Sequence, residues 1–308
     1  MIKKTILILL LILPGTYLYA QESSIELPLI GDRLSGAVSE TEEEALGRQF
    51  LRDLKRESAI LYDPIVQEWT ELFIYKIGEK SKVNKKAFEL LIIEDNTLNA
   101  FAAPGGIIGV NAGLFKYSEN EAQFASVIAH ELAHLSQRHF ARQILEGSDR
   151  SNQSLATVLA SIVVAVATNS PAAVIGGQGI LAAQQLRFSR LYETEADREG
   201  YVTLQKAGYD TIQMSEMFKN MQEVRRLSGD NIPEFLRTHP ITSSRISDAF
   251  NAADQVPEIE GKKNSLNYQL VRGRLSAQYE EIPINAVRIF KDRLVNERTI
   301  ENKYGYFM

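Results

Sequence analysis

Apolar residues recur at intervals of three and four over most of the chain, which is the spacing of amphipathic helices. Ser39 and Glu42 have the residue types and separation of a capping box and predict a helix start. A second helix start is predicted at Asp63 and Pro64. The apolar positions of these two helices are Ala45, Leu46, Phe50, Leu51, Leu54, Ile65, Trp69, Leu72, Phe73 and Ile77. Further predicted helices cover residues 189–206, 211–227 and 243–252.

Two short apolar segments depart from the helical pattern and predict a small sheet. Residues 88–93 form one segment, and residues 100–110 form another around Pro104, Gly105 and Gly106. We expect each segment to be one strand, with the connection near Asp95 and Asn96. The fold class predicted is therefore α+β and mainly helical.

The N-terminus has the pattern of a secretory signal. Residues 1–20 combine Lys3 and Lys4, an apolar run over residues 6–13, and Ala20 at the expected cleavage site. An uncleaved anchor is the alternative, although the run is far shorter than the ~20 residues that span a bilayer. We expect an exported, periplasmic protein, with residues 21–40 as an irregular arm.

A second apolar region covers residues 155–183 and consists of two stretches separated near Pro171. The first stretch of thirteen residues would make ~20 Å of helix, short of the ~30 Å hydrocarbon layer. The lengths favour a buried or surface-lying hairpin, and contact with a membrane surface is the alternative.

The segment 261–308 has a different character and predicts a pair of helices of tetratricopeptide size. Asn267 and Tyr268 recur loosely as Lys303 and Tyr304, 36 positions later, which is close to the period of that repeat. We expect a helical tetratricopeptide-like tail whose repeats are incomplete. A simple helical cap is the alternative.

Composition and charge narrow the chemistry. The chain has 34 Lys and Arg against 39 Asp and Glu, a net charge of −5, and no long basic block, which argues against nucleic acid as a partner. It has no cysteine, which excludes thiolate zinc sites, cysteine nucleophiles and disulfides. A metal ion must therefore be held by His, Asp or Glu.

Two of the four histidines, His130 and His134, flank Glu131 in the motif H-E-L-A-H. The helix around them is predicted to begin at a second capping box, over residues 118–121. Because residues four apart share one helix face, both imidazoles can bind a single Zn²⁺, and Glu131 lies beside them as a general base. The apolar neighbours of the motif predict a buried site.

A catalytic zinc site takes three protein ligands, so one more is needed. His139 lies about 140° around a continuing helix from His134 and is predicted to be structural or at the surface. Downstream, Glu193 and Asp197 are four apart, so one could bind the metal while the other accepts the second ring N–H of a ligating histidine. Glu195 points elsewhere on the same helix.

H-E-L-A-H, E-T-E-A-D and the upstream N-A-F-A-A-P-G-G resemble the gluzincin metallopeptidases, specifically their periplasmic BepA-like branch, which is related to the HtpX-type membrane proteases. The resemblance covers residues 42–253 and implies a predominantly helical zincin-like metalloprotease domain with a small sheet, which we place at residues 41–260. It also implies a tetratricopeptide domain after it. It favours Glu193 over Glu195 as the third ligand, with Asp197 supporting a ligand.

The resemblance extends to four further residues. It implies that His239, in T-H-P-I, lies near the metal, where it would either occupy the open coordination position or donate to the developing oxyanion. Asn99 and Ala100 correspond to the edge strand along which such enzymes bind an extended substrate. Arg245 is grouped with them, and could instead support His239 or a nearby acid.

The predicted function is a periplasmic endopeptidase with one Zn²⁺ per chain, in which Glu131 is the base. Its substrates would be misfolded or unassembled envelope proteins, in quality control of outer-membrane protein assembly. The alternative is a chaperone-like assembly factor with gated or secondary proteolysis, which contacts the outer-membrane assembly machinery through the C-terminal helices. A membrane-embedded protease would need a spanning segment that the apolar lengths do not supply.

Overall fold

A computed structural model describes residues 39–146, 159–160, 162–164, 188–229, 231–254, 261–280 and 282–308. The predicted signal peptide, nearly all of the irregular arm and most of the apolar region 155–183 lie outside the described residues. Within that region, Leu159, Ile162 and Val163 are helical and buried. None of the helices in the described ranges is long and apolar enough to cross a membrane.

Helices make up most of the described structure, as the periodicity predicted. In chain order they are α1 (Glu40–Glu57), α2 (Pro64–Lys80), α3 (Ala112–Tyr117), α4 (Glu121–Ser136), α5 (His139–Glu146), α6 (Arg190–Lys206), α7 (Ile212–Leu227), α8 (Glu234–Thr238), α9 (Ser243–Asp254), α10 (Leu266–Gln278), α11 (Pro283–Asn296) and α12 (Ile300–Phe307).

The start signals of the first two helices act as predicted, and that of α4 does not. Ser39 and Glu42 form the capping box of α1, and Asp63 caps α2 just before Pro64. The box predicted over residues 118–121 is absent. Ser118 ends α3 instead, and Asn120 caps α4 by accepting a hydrogen bond from the Gln123 N–H. Ser118, which the pattern predicted to start α4, is instead the C-cap of the short helix α3.

The sheet has three strands, β1 (Glu89–Ile93), β2 (Ala100–Ala103) and β3 (Ile107–Asn111), in the order β1-β3-β2. The single strand predicted over residues 100–110 is therefore wrong. Gly105 and Gly106 adopt φ values of 87° and 79° and turn the segment into an antiparallel hairpin. Its second strand, β3, pairs in parallel with β1. This arrangement leaves β2 at an edge of the sheet.

The two faces of the sheet belong to two hydrophobic cores, as the alternation of side chains along a strand requires. One core contains an aromatic cluster around Trp69 that includes Phe73, Phe115, Phe124 and Tyr268. The core on the other face contains residues from α1, α5 and the start of α6: Phe50, Leu54, Phe140, Phe188 and Tyr192.

The C-terminal helices pack on the first core and not apart from it. Tyr268 of α10 is fully buried among the aromatic residues, and its hydroxyl donates to the Ser118 carbonyl at 3.0 Å. Arg272 of the same helix donates to both oxygens of Glu301 in α12. The helical tail is thus attached to the domain that precedes it, and its tetratricopeptide-like character stays a prediction.

Helix α6 lies directly against the backbone of α4 where Gly200 faces His130. A Cβ atom at position 200 would lie 3.1 Å from the His130 nitrogen and 3.2 Å from its Cα. Contacts this short are tighter than those of most side chains, so glycine allows the closest approach of the two helices here.

We expect Gly200→Leu to destabilise the protein by about 1–3 kcal/mol, the usual cost of inserting atoms into a packed core. Urea unfolding followed by circular dichroism measures the change. Arg198→Ala is the matched control, because that position is exposed on the same helix and should change stability by less than ~0.5 kcal/mol. A wild-type unfolding midpoint for Gly200→Leu would contradict the close approach of the helices.

Candidate metal centre

Helix α4 places both histidines and the glutamate of the H-E-L-A-H motif in the interior. His130 and His134 lie one turn apart, with their Nε2 atoms 3.0 Å from each other. Both side chains and that of Glu131 are almost completely buried. The buried site predicted from the apolar neighbours is thus found, and the two imidazoles converge on one point.

Two residues from other elements complete the cluster. Glu193, in the first turn of α6, has a carboxylate oxygen 3.4 Å from the His134 Nε2. His239, directly after α8, has its Nδ1 3.0 Å from the same oxygen and 3.3 Å from the His130 Nε2. Ligand atoms of all four residues lie within 4.8 Å of one another. Three imidazoles and a carboxylate are donors that suit Zn²⁺, so the residues fit the metal predicted from the sequence.

Asp197 and Arg245 support this cluster from one side. The Asp197 carboxylate lies 3.0 Å from the His130 Nδ1, so it can accept the ring N–H that points away from the cluster. Arg245 holds both acids, with its Nε 2.6 Å from Asp197 and its Nη1 2.6 Å from Glu193. Burial acts to raise the pKa of Glu193, but the charges of His239 and Arg245 outweigh it and lower that pKa well below its usual range.

The predicted substrate contact by Arg245 is not what the structure shows. Its side chain is 7% exposed, and its guanidinium is engaged by Asp197, Glu193 and the Pro240 carbonyl. It therefore corresponds to the alternative in which it supports a nearby acid.

His139 lies in a different place from the one predicted. Helix α4 ends at Ser136, Arg138 takes a φ of 50°, and His139 begins α5. The imidazole is fully buried, which excludes the surface alternative, and its Nδ1 is 2.8 Å from the His134 Nδ1. The continuing helix assumed in the prediction does not exist, and no Gly, Pro or Asn in residues 135–139 signals the turn.

Glu195 lies outside the cluster, on the far side of His139. Its carboxylate is 3.1 Å from the His139 Nε2 and 2.6 Å from Arg142. Burial lowers the pKa of His139 to about 4, although its contact with Glu195 acts in the opposite direction. The imidazole of His139 is therefore neutral near pH 7.

Glu131 has the environment of a proton acceptor. The Ala102 N–H donates to one carboxylate oxygen at 3.1 Å, and the other oxygen has no hydrogen-bond partner among the described residues. Burial raises the pKa of this carboxyl, although the charges of His239 and His130 act to lower it. A buried carboxylate with a raised pKa and one free oxygen is suited to general base chemistry.

A narrow cleft lies beside Glu131 and His239. One wall is strand β2. Asn99 directly precedes this strand, and its carbonyl accepts from the Asn111 N–H and so faces β3. Since backbone polar groups alternate between the two edges of a strand, those of Ala100 and Ala102 face the edge away from β3. The residues lining the cleft are Asn99, Ala100, Phe101, Ala102, Glu131, Phe140, Ile162, Phe188, Glu234, Thr238 and His239.

Comparisons with known proteins agree with this geometry. The model of peptidase family M48 matches residues 64–253. A putative beta-barrel assembly-enhancing protease of Vibrio cholerae is 33% identical over 287 residues, which cover 92% of this chain and 58% of that protein. The beta-barrel assembly-enhancing protease of Escherichia coli K12 is 30% identical over 260 residues, 84% of this chain and 53% of that protein.

A more distant relative is the mitochondrial metalloendopeptidase OMA1 of Arabidopsis thaliana, which is 28% identical over 218 residues, 70% of this chain and 42% of that protein. The chain thus spans about half the length of the curated relatives that it matches. The family model includes every residue of the cluster, from His130 to His239.

We expect the purified chain to bind one Zn²⁺, and His130→Ala, His134→Ala or Glu193→Ala to remove most of it, because each loses a donor of a three-ligand site. Elemental analysis after gel filtration measures the zinc content. Glu199→Ala is the control, because Glu199 lies on the same helix as Glu193 and forms an ion pair with Lys82 away from the cluster. This variant should keep one zinc. Full zinc content in Glu193→Ala would show that the third ligand is another residue.

Proposed function

Because the chain belongs to peptidase family M48, we propose that it is a zinc-dependent endopeptidase whose active site is the cluster of His130, His134 and Glu193. The observation that carries the proposal is that the metal-ligand cluster lies beside a cleft that is lined by Glu131, by His239 of that cluster and by strand β2. A metal site, a base and a place for a peptide are the parts that peptide hydrolysis needs.

The chemistry divides between the metal and the chain. A zinc ion bound here would supply Lewis acidity, which polarises the scissile carbonyl and makes water a better nucleophile. Glu131 takes the proton of the attacking water on its free oxygen and then passes it to the departing amine. The hydrogen bond from the Ala102 N–H holds the carboxylate in position through both transfers.

The edge of β2 that faces away from β3 is the proposed place for the substrate. An extended polypeptide can add to a strand edge by pairing its backbone with N–H and C=O groups that no neighbouring strand uses, and those of Ala100 face away from β3. Backbone pairing of this kind accepts many sequences, so we propose unfolded or unassembled polypeptides as substrates. Asn99 and Ala100 are in this proposal the first residues that the substrate meets.

The biological setting is proposed from the relatives and from the N-terminus. Two of the relatives are named for enhancing beta-barrel assembly. The signal-like residues 1–20 indicate export, so we propose that the chain acts in the periplasm, on envelope proteins whose assembly has failed. The tail helices α10 to α12 are the part of the chain proposed to contact the assembly machinery.

His239 is proposed to close the metal site in the resting enzyme. Its Nδ1 lies within 3.3 Å of atoms of both His130 and Glu193, so it belongs to the same set of donors. A catalytic zinc needs one position for water or substrate, and a third imidazole in that position would exclude both. His239 would then control access to the proteolytic site. Gated proteolysis of this kind is also compatible with the alternative function as an assembly factor.

Glu131→Gln should keep the fold and the zinc and lose at least ~10²-fold in peptide hydrolysis, because the amide cannot accept the proton. The measurement is cleavage of an unfolded protein such as casein, with the zinc content determined in parallel. If Glu131→Gln restores the wild-type phenotype to a strain that lacks the protein, and a variant without residues 264–308 does not, the assembly-factor function would be favoured over the protease. Hydrolysis at the wild-type rate would contradict the mechanism.

His239→Ala should hydrolyse the same substrate faster than wild type and cleave itself, because the fourth position of the metal is opened. The double variant that also carries Glu131→Gln is the control and should neither hydrolyse the substrate nor cleave itself. If His239 instead donates to the oxyanion, the single variant would keep zinc and lose ~10²-fold in turnover. Unchanged turnover would exclude both roles.

A further inference from the structure

A line of polar side chains leads away from the metal cluster on the side opposite to Asp197. His139 places its Nδ1 2.8 Å from the His134 Nδ1 and its Nε2 3.1 Å from the Glu195 carboxylate. Arg142 donates to the same carboxylate at 2.6 Å. We propose that Arg142, Glu195 and His139 are positioning residues that fix the ring tautomer of His134 and so prepare its Nε2 to bind zinc, an inference that rests on the proposed zinc site.

The direction of the hydrogen bonds follows from what each group can do. A carboxylate paired with arginine can only accept, so the His139 Nε2 must carry the proton that faces Glu195. The Nδ1 atoms of His139 and His134 are 2.8 Å apart, so one proton lies between them and one ring donates to the other. Binding of zinc at the His134 Nε2 requires that proton to belong to the His134 Nδ1, which makes the His139 Nδ1 the acceptor. The His134 Nε2 is left without a proton, and it is the atom that faces Glu193 and His130.

The packing around the two rings keeps this orientation. His139 stacks on Tyr192 with ring centroids 4.6 Å apart and planes 15° from parallel. His134 stacks on Phe188 with centroids 4.1 Å apart and planes 28° from parallel. Tilting either imidazole out of its plane would break its stacking contact, and a 180° flip within the plane would break its hydrogen bond. The hydrogen bonds set the tautomer, and the stacking holds the rings in the plane that the bonds need.

The same helix thereby supports both ligating histidines. The Asp197 carboxylate lies 3.0 Å from the outer nitrogen of His130, whereas Glu195 acts on the outer nitrogen of His134 through His139. Helix α6 contributes Glu193 as a proposed metal ligand. Two and four positions later it contributes Glu195 and Asp197, which support the ligating histidines. This role explains why His139 is buried although it is not a predicted ligand. It also explains why Glu195 is bonded to His139 and Arg142 although it binds no metal.

The tautomer of His134 in the metal-free chain is the first test. Long-range proton–nitrogen NMR of the chain with labelled histidine distinguishes the two tautomers by the nitrogen shifts of each ring. We expect His134 to be protonated at Nδ1 before any zinc is added, and His139 at Nε2. A proton on the Nε2 of His134 in the metal-free wild type would overturn the proposal.

The second test compares two substitutions of His139 by their zinc affinity, measured by competition with a chromophoric chelator. His139→Phe keeps a ring against Tyr192 but removes both nitrogens, and we expect zinc affinity to fall ~10–100-fold, the usual cost of losing such support. His139→Asn places an amide oxygen near the position of the Nδ1, and we expect it to regain most of the affinity. Circular dichroism verifies that both variants are folded.

The outcomes separate this inference from the proposed function. A wild-type chain that binds no zinc would contradict the proposed function itself. If the wild type binds zinc and His139→Phe binds it equally tightly, only the positioning role is overturned. Equal losses in the Phe and Asn variants would also overturn it, because the effect would then come from packing and not from the hydrogen bond. If His139→Phe does not fold, the tautomer of the wild type decides the question by itself.

Discussion

The close packing of α4 against α6 is the contact on which the rest of the site depends. His130 and His134 come from one helix and Glu193 from the other, so the distance between the helix axes sets the distance between donors. Gly200 lets the backbones approach where α6 crosses His130. Even a Cβ atom at this position would lie only 3.1 Å from the His130 nitrogen, and a larger side chain would push the helices apart in a site that tolerates about 0.2 Å in its metal–ligand distances.

Burial of so many polar groups requires their charges to be balanced. The site places two acids, Glu131 and Glu193, and four histidines, His130, His134, His139 and His239, in the interior beside the sheet, where an unbalanced charge would cost several kcal/mol. Arg245 balances Glu193 and Asp197 on one side, and Arg142 balances Glu195 on the other. These two arginines come from different helices, α9 and α5, so the charge balance of the site also fixes how those helices dock.

The parts of the site that could be predicted from sequence are those in which local spacing decides the geometry. His130 and His134 are one helical turn apart, and so are Glu193 and Asp197, so each pair shares a face whatever the remaining fold does. His139 could not be placed, because its position depends on a left-handed Arg138 that no turn residue announces. The role of Arg245 depends on the docking of α9 against α6, which is a long-range contact. The hairpin of β2 and β3 was signalled by Gly105 and Gly106, and only the length of the apolar segment concealed it.

One hydrogen bond, from the Ala102 N–H to the Glu131 carboxylate, joins the proposed base to strand β2. The Ala102 N–H would be the next group along the edge away from β3 after those of Ala100, but Glu131 occupies it. In the proposed reaction, a peptide paired with this edge would pair with the backbone groups of Ala100, because the Ala102 N–H is already bonded to Glu131. The pairing would then end beside Glu131 and the cluster of His130 and Glu193. In the proposed peptidase, the register of the strand would position the scissile bond, and side-chain contacts in the cleft would only modulate it.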